Sequence, residues 1–174
     1  SGPDSDRPHN MDVLISAIGR ARRRIRITNP YFIPSEPLST ALQIAAASGI
    51  EVECLFPGIS DSMIVKHASF SYLKPLLESG VKVYLYNKGF VHAKTMTIDG
   101  KLSVVGTVNM DIRSFYINFE VAAVVYDQTL AGQLEEAFEA DLKESSLLDP
   151  ETWTERPLWQ RSAESVCRLL TPLL

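Results

Sequence analysis

The sequence predicts an α/β fold, an α-β-α sandwich whose helices cover both faces of a mixed, mainly parallel central sheet. Strand and helix patterns alternate from Ile25 to Tyr86, as parallel strands with helical crossovers require. An Asp99-Gly100 pair between two strand patterns then adds an antiparallel hairpin. The length of 174 residues, with 45% hydrophobic positions and a net charge of −4, suits one soluble domain and excludes collagen-like, coiled-coil and disordered classes.

The first helix and strand follow from apolar spacing and from a pair of prolines. Apolar residues recur at helical spacing from Asn10 to Arg24, which predicts a helix with Asn10 as a possible cap. Ile25 to Thr28 is a short strand, and the two prolines within Asn29 to Pro34 end it. A second helix is predicted from Glu36 to Ser48, because Gly49 provides an end signal.

The alternation continues through the middle of the chain. A second strand, Ile50 to Phe56, ends at a proline-glycine pair. A third helix begins at Asp61 or Ser62 and runs to Glu78, with a kink expected at Pro75. Val81 to Tyr86 is predicted to be the third parallel strand.

The second half changes to an antiparallel pattern. Strands are predicted from His92 to Ile98 and from Lys101 to Gly106, on either side of the turn. A further strand, Phe119 to Tyr126, and a helix, Leu130 to Lys143, follow. We therefore expect residues 1–9 to be a linker or an added remnant, residues 10–148 to form the domain, and residues 149–174 to be a helical extension packed on it.

The predicted hairpin register brings two basic side chains to one rim of the sheet. A two-residue turn pairs Ile98 with Lys101, and His92 and Lys94 then lie two positions apart on one face. The chain reverses after the third strand, so this strand begins where the carboxyl ends of the parallel strands lie. Ligands of open α/β sheets favour that edge.

The side chains predicted at this rim suit a phosphodiester. Lys94 supplies a mobile positive charge for a phosphoryl oxygen, and Asn109 adds a neutral donor. Glu120 is placed to accept from one ring nitrogen of His92, which frees the other nitrogen for attack. At about 3.3 Å per residue, Asp99 lies at the far end of the strand, so we expect it to be structural. No carboxylate cluster suggests a metal, and no cofactor is expected.

These residues resemble the HKD signature of the phospholipase D superfamily. The signature consists of polar and small residues at fixed intervals, His92, Lys94, Asp99, Gly106, Thr107 and Asn109. The flanking segments resemble the carboxyl-terminal HKD domain of a bacterial cardiolipin synthase. They are Asn29 to Pro34, Asp61 to Met63, Val105 to Ser114, Asn118 to Glu120, Arg156 to Arg161 and Pro172 to Leu174. The resemblance covers the chain from about Asp12 to its end.

The resemblance implies a phosphatidyltransferase that joins two phosphatidylglycerols into cardiolipin through a phosphohistidine and releases glycerol. His92 is then the nucleophile or, as the histidine of a carboxyl-terminal motif, the general acid. Lys94, Thr107 and Asn109 would bind phosphate, and Glu120 would orient His92. The alternatives are a phospholipase D or nuclease-like phosphodiesterase that uses water, and an inactive isolated half-domain. The acidic net charge argues against a nucleic-acid partner.

The implied partners are a second HKD domain, since only one motif is present, and phosphatidylglycerol with other anionic membrane lipids. We therefore expect an excised half of an enzyme at the bacterial cell membrane, on the cytoplasmic face. No apolar run approaches the roughly 20 residues that span a bilayer.

Several further residues have two interpretations. Tyr31, Phe32, Ser62 and Arg113 line the site, or the aromatic residues belong to the core and Ser62 only caps a helix. The five arginines between Arg20 and Arg26 attract lipid head groups or solvate a helix end. An apolar carboxyl-terminal face packs on the domain's own core, on a missing half or on a membrane. Its members are Leu158, Trp159, Val166, Leu169, Leu170, Leu173 and Leu174.

Overall fold

The computed structural model describes residues 2–169 and residue 171, and its central feature is a seven-stranded mixed sheet. The strands are β1 (Arg24–Thr28), β2 (Glu51–Pro57), β3 (Lys82–Tyr86), β4 (Thr95–Ile98), β5 (Leu102–Gly106), β6 (Ala122–Tyr126) and β7 (Ser145–Leu147). They lie in the order β6-β5-β4-β1-β2-β3-β7. The predicted α/β sandwich is confirmed. The three strands predicted to be parallel, β1, β2 and β3, do pair in parallel. The sheet is nevertheless not mainly parallel, because the other four pairs of described strands are antiparallel.

Helices cover both faces of this sheet. They are α1 (His9–Ile18), α2 (Glu36–Ala47), α3 (Met63–Phe70), α4 (Leu73–Glu78), α5 (Ile112–Tyr116), α6 (Gln128–Leu142), α7 (Pro150–Thr154) and α8 (Leu158–Leu169). The main core lies between the sheet and α1, α2 and α4, while α6 crosses the opposite face. The carboxyl-terminal α7 and α8 pack on α4 and α3. Of the apolar face predicted there, Leu170, Leu173 and Leu174 lie outside the described residues.

Strand β1 alternates between the two faces of the sheet. Ile25 and Ile27 are fully buried in the main core. Arg26 points between them toward α6, where its Nε donates to Glu53 Oε2 at 2.8 Å and its guanidinium also pairs with Glu139. Arg26 is buried, so the interpretation of the arginine cluster as a purely solvated or lipid-facing surface is wrong for this residue.

The predicted third helix is two helices. A turn at Ser71 and Tyr72, which both keep right-handed helical backbone angles, separates α3 from α4, and Pro75 lies in the first turn of α4. A proline ring clashes with the carbonyl four residues earlier, which here belongs to Ser71. The clash explains why the chain breaks upstream of the proline instead of bending at it.

The β4–β5 hairpin has a register one residue away from the prediction. Ile98 pairs with Leu102 and Thr95 with Val105, so the predicted pair of Ile98 with Lys101 is wrong. The Lys101 N–H still donates to the Ile98 carbonyl at 3.0 Å, which leaves Lys101 as an extra loop residue. Strand β4 also begins later than predicted, at Thr95.

Asp99 ties this turn to the segment before β1. Its carboxylate accepts the N–H groups of Arg22, Arg23 and Arg24 at 2.8, 2.8 and 2.9 Å, and its own N–H donates to the Arg24 carbonyl. Its φ of 55° is left-handed, a conformation that aspartate tolerates. The backbone donors that a helix up to Arg24 would need are thus used elsewhere, and α1 ends at Ile18, earlier than predicted.

The two cysteines are free thiols in different environments. Cys54 is fully buried in β2, and burial together with the neighbouring Glu53 raises the pKa of its thiol to about 12. Cys167 is partly exposed in α8. In the part of the chain that is described, no helix combines the length and apolar character that crossing a bilayer requires.

We predict that Asp99→Asn lowers the free energy of unfolding at neutral pH by about 1–2 kcal/mol, because three backbone donors lose a charged acceptor. Burial opposes ionisation of Asp99, but these donors outweigh it and hold the pKa of the carboxyl below its usual value. A lowered folded-state pKa stabilises the protein above about pH 4 and ceases to do so as the pH falls through it. The difference in urea midpoint between the wild type and Asp99→Asn should therefore become smaller as the pH falls toward about 3.

Asp6→Asn is the control, since Asp6 is exposed near the amino terminus. Equal urea midpoints for wild type and Asp99→Asn at pH 7 would contradict the structural role assigned to Asp99.

Candidate functional site

His92 and Lys94 meet at the rim predicted from the sequence. Both residues lie in irregular backbone before β4, so the alternation of side chains along a strand, on which the prediction was based, does not explain why they meet. The Lys94 Nζ lies 3.1 Å from His92 Nε2 and donates to the His92 carbonyl at 2.9 Å. An ammonium has no lone pair, so in this arrangement the Nε2 atom of the imidazole is the acceptor.

Aromatic rings surround His92. The Tyr31 ring packs edge-on at 6.2 Å, and the Phe90 ring lies at 5.6 Å between centroids. The Tyr31 hydroxyl donates to Asp61 Oδ2 at 2.5 Å. Burial, reinforced by this carboxylate, raises the pKa of Tyr31 to about 12, so the phenol stays neutral at physiological pH. The sequence analysis missed Phe90, whose position in a loop carries no periodic signal.

Phe32 and Ser62, which were also predicted to line the site, make contacts that stabilise the fold. Phe32 is buried and packs on Phe56 with ring centroids 4.7 Å apart, so the prediction that it lines the site is wrong. The backbone of Phe32 also forms an isolated parallel bridge with Met110. Ser62 caps α3, where its hydroxyl accepts the Val65 N–H at 3.4 Å.

Glu120 lies in a network of small polar side chains. The Thr107 hydroxyl donates to its carboxylate, and Ser114 Oγ and Asn118 Nδ2 approach the other carboxylate oxygen at 3.4 Å. The Thr107 N–H donates to the Val121 carbonyl, and a Cβ at the preceding Gly106 would overlap that same carbonyl. Glycine is therefore required for this close approach of the two chain segments.

Lys94 faces a negative environment. Burial lowers the pKa of Lys94, while the charges of Glu120 and Asp111 act in the opposite direction. Asp111 caps α5 through the Ser114 N–H at 2.6 Å, and its burial together with Glu120 raises its pKa. No group of three or more histidine, cysteine or acidic side chains among the described residues could hold a metal ion.

An open pocket of about 200 Å³ adjoins these residues. Its walls include Tyr31, Asn109 and Arg113, three of the residues predicted at the rim. Asn109 Oδ1 is buried and has no hydrogen-bond partner within the described structure. The pocket thus combines amides, a guanidinium and a phenol ring with the carboxyl group of Asp111. The amide and guanidinium donors suit an anionic oxygen, and the carboxyl group suits a hydroxyl donor.

Asn29 holds the two rim loops together, a role that the sequence analysis did not assign. Its Oδ1 accepts the N–H groups of Tyr31 and Met110 at 3.3 and 3.1 Å, and its Nδ2 donates to the Val108 carbonyl at 3.3 Å. The sequence pattern predicts a strand end at the Asn-Pro pair after β1, and the segment from Asn29 to Pro34 contributes to the family resemblance, but neither assigns a contact to Asn29. A buried asparagine at that point, which must find several partners, was the available signal.

The comparisons with known proteins agree on the family. Residues 14–142 match the model described as "Cardiolipin synthase, PLD-like domain". A cardiolipin synthase of Geobacillus sp. (strain WCH70) is 49% identical over 173 residues, which cover 99% of this chain and 34% of that protein. The major cardiolipin synthase ClsA of Bacillus subtilis (strain 168) is 46% identical over 174 residues, 100% of this chain and 36% of that protein.

Two solved structures show the same fold at low sequence identity. The phosphatidylserine synthase of Haemophilus influenzae Rd KW20 has a TM-score of 0.76 at 18% identity, over 99% of this chain and 44% of that one. The phospholipase D family member Nuc from Salmonella typhimurium has a TM-score of 0.70 at 20% identity, over 79% and 89% of the two chains. The chain spans about a third of the length of the curated relatives above. It belongs to the family of cardiolipin synthase, phospholipase D-like domains.

Proposed function

We propose that this chain is one HKD half-site of a cardiolipin synthase, a phosphatidyltransferase that joins two phosphatidylglycerols and releases glycerol. The observation that carries the proposal is the contact between His92 and Lys94 on a rim shared with Glu120, Thr107 and Asn109. The relatives named cardiolipin synthase support the choice of acceptor, because they match the chain over nearly its whole length.

Lys94 prepares the site for a phosphodiester in two ways. Its ammonium contacts His92 Nε2 in the free site. When a phosphoryl oxygen binds, the ammonium turns to the anion and releases Nε2, so that the imidazole can pass a proton to the leaving glycerol oxygen. The same charge then stabilises the oxygens of the transition state.

The reaction takes place in two displacements at phosphorus. In the first, a histidine nitrogen forms a bond to phosphorus, the bond to the glycerol oxygen breaks, and a second histidine protonates that oxygen. In the second, the hydroxyl of another phosphatidylglycerol loses its proton to the same group and attacks, and the P–N bond breaks. His92 is assigned to the acid and base role, with the nucleophile on the other half.

The remaining residues hold the reactants in place. Glu120 orients the His92 imidazole, and its hydrogen bond from Thr107 limits where the carboxylate points. Asn109, through its amide N–H groups, and Arg113, through its guanidinium, contribute to phosphate and head-group binding in the pocket they line. Tyr31 forms the wall beside His92.

The proposal requires a second HKD domain, from the same protein or another copy. In this arrangement residues 10–148 are the catalytic half and residues 149–174 a helical extension, with residues 1–9 a linker. The substrates are membrane lipids, so the enzyme works at the bacterial cell membrane, on its cytoplasmic face.

We predict that His92→Ala abolishes cardiolipin synthesis in a chimaera that supplies the second half. In the chimaera, this chain replaces the matching 174-residue segment of the Bacillus subtilis relative. Loss of a general acid and base lowers the rate by about 10²–10⁴-fold. The measurement is cardiolipin formed from phosphatidylglycerol vesicles, separated by thin-layer chromatography.

His9→Ala serves as the matched control, because His9 is exposed at the start of α1. Cardiolipin formation at the wild-type rate by the His92→Ala chimaera would refute the assignment. If phosphatidic acid replaces cardiolipin as the product, the acceptor is water and the chain belongs to a hydrolase.

We also predict that Lys94→Arg moves the alkaline limit of turnover in this chimaera to higher pH. Burial lowers the pKa of Lys94, so the wild-type lysine loses its charge at a lower pH than an exposed lysine. An arginine stays protonated throughout that range, although its different shape is expected to reduce the maximal rate. The measurement is the pH profile of kcat/KM above neutrality.

Lys101→Arg, an exposed position in the hairpin loop, is expected to leave the profile unchanged. An identical alkaline limit in wild type and Lys94→Arg would show that Lys94 does not carry the positive charge on which turnover depends.

A further inference from the structure

Helix α8 packs on the domain through a side that contains a charged residue, and it exposes apolar side chains to solvent. Among its described side chains, Trp159, Val166 and Leu169 are 68%, 60% and 80% exposed. Glu164, in the middle of the same helix, is buried. An amphipathic surface helix normally buries its apolar stripe and exposes its charges, so this helix has an apolar face without a partner in the described structure.

Charged contacts hold the buried side of α8 in place. Both guanidinium nitrogens of Arg156 pair with the Glu164 carboxylate, at 2.5 and 3.1 Å. The Arg156 guanidinium also stacks on the Trp153 ring at 3.4 Å, and Arg168 lies over the Tyr72 ring at 4.6 Å. A bidentate ion pair with two cation–π contacts orients the helix about its axis. The outward position of the apolar face is therefore specified by several side chains.

The charge of this region favours one kind of partner. The segment from Arg156 to Leu169 contains three arginines and one glutamate, in a chain with a net charge of −4. A short helix that exposes tryptophan and aliphatic side chains, in a segment rich in arginine, is typical of segments that lie in a membrane interface. Anionic lipid head groups attract such a segment.

The position of α8 relates this face to the candidate site. The helix packs against α3, and Asp61, which precedes α3, accepts the hydrogen bond from Tyr31 beside His92. Two further apolar side chains at the start of α3, Met63 and Ile64, are exposed. Exposed apolar side chains are thus present on both of these packed helices.

We propose that α8 docks this domain on an anionic lipid bilayer. Trp159, Val166 and Leu169 enter the boundary between head groups and acyl chains, while the buried Arg156–Glu164 pair keeps the helix attached to the domain. The helix lies parallel to the surface, since its 12 residues are too few to cross it. This contact goes beyond the proposed chemistry and is tested without turnover.

The test is sedimentation of the 174-residue chain with vesicles of phosphatidylserine or of phosphatidylcholine. Phosphatidylserine is anionic but is not the proposed substrate. Binding to these vesicles therefore tests the docking of α8 separately from the proposed transferase activity. We expect the chain to sediment with phosphatidylserine, to bind phosphatidylcholine weakly, and to release from the anionic vesicles at high salt. Val166→Glu should weaken binding about tenfold or more, which corresponds to about 1.4 kcal/mol.

Ile44→Glu is the matched control, because Ile44 on α2 is an aliphatic side chain with 61% exposure. It should bind as the wild type does. Circular dichroism of each variant checks that the fold is retained. A second readout is quenching of tryptophan fluorescence by brominated lipid, which we expect in the wild type and not in Trp159→Phe, whose remaining Trp153 is buried.

Three results would overturn the proposal. The first is no sedimentation of the wild type with phosphatidylserine vesicles. The second is that Val166→Glu binds phosphatidylserine vesicles as well as the wild type does, or that Val166→Glu and Ile44→Glu lose vesicle binding to the same extent. The third is a dimer, measured by light scattering, that Val166→Glu dissociates while vesicles bind neither protein. In that case the face contacts a second copy of the chain.

Discussion

The Asn29 side chain is the interaction on which the candidate site depends. One carboxamide, buried at the end of β1, accepts from the loop that carries Tyr31 and from the loop that carries Asn109, and donates back to the second loop. The Ile33 N–H adds a hydrogen bond to the Met110 carbonyl at 2.8 Å. Loops that approach each other from different strands would otherwise drift, because each has few contacts of its own. A buried amide with three partners fixes their separation.

The sheet supports this rim from below, and each of its two faces is stabilised by a different kind of interaction. One face is an apolar core against α1, α2 and α4. The other has a charged layer under α6, in which Arg26 pairs with Glu53 and Glu139 and stacks on Phe138. A buried ion pair is weak evidence of net stabilisation, but it specifies a single orientation of the elements it joins. In this way α6 is positioned over the sheet by direction-dependent contacts as well as by apolar area.

Local patterns predicted most of the fold and the centre of the site, and long-range contacts account for the differences. Strand periodicity depends on neighbours in sequence, so the strands were accessible. His92 and Lys94 do meet, but they precede β4 in irregular backbone, so the strand spacing that predicted their shared side is not the cause. The length of α1 was not, because Asp99 removes its last backbone donors from 75 or more residues away. Phe32 is equally apolar on a rim or in a core, and its burial against Phe56, a contact between residues distant in sequence, could not be predicted from local pattern. For α8, periodicity indicates an apolar face but not which way that face turns.

The contrast between the two thiols has a practical consequence for spectroscopy. Cys54, buried in β2 with a raised pKa, offers almost no thiolate to an alkylating reagent. Cys167, partly exposed in α8, is then the one reactive position among the chain's two cysteines. A maleimide fluorophore or a nitroxide spin label can therefore be attached to the native sequence, without removing a cysteine first. The probe reports directly on the immediate surroundings of α8.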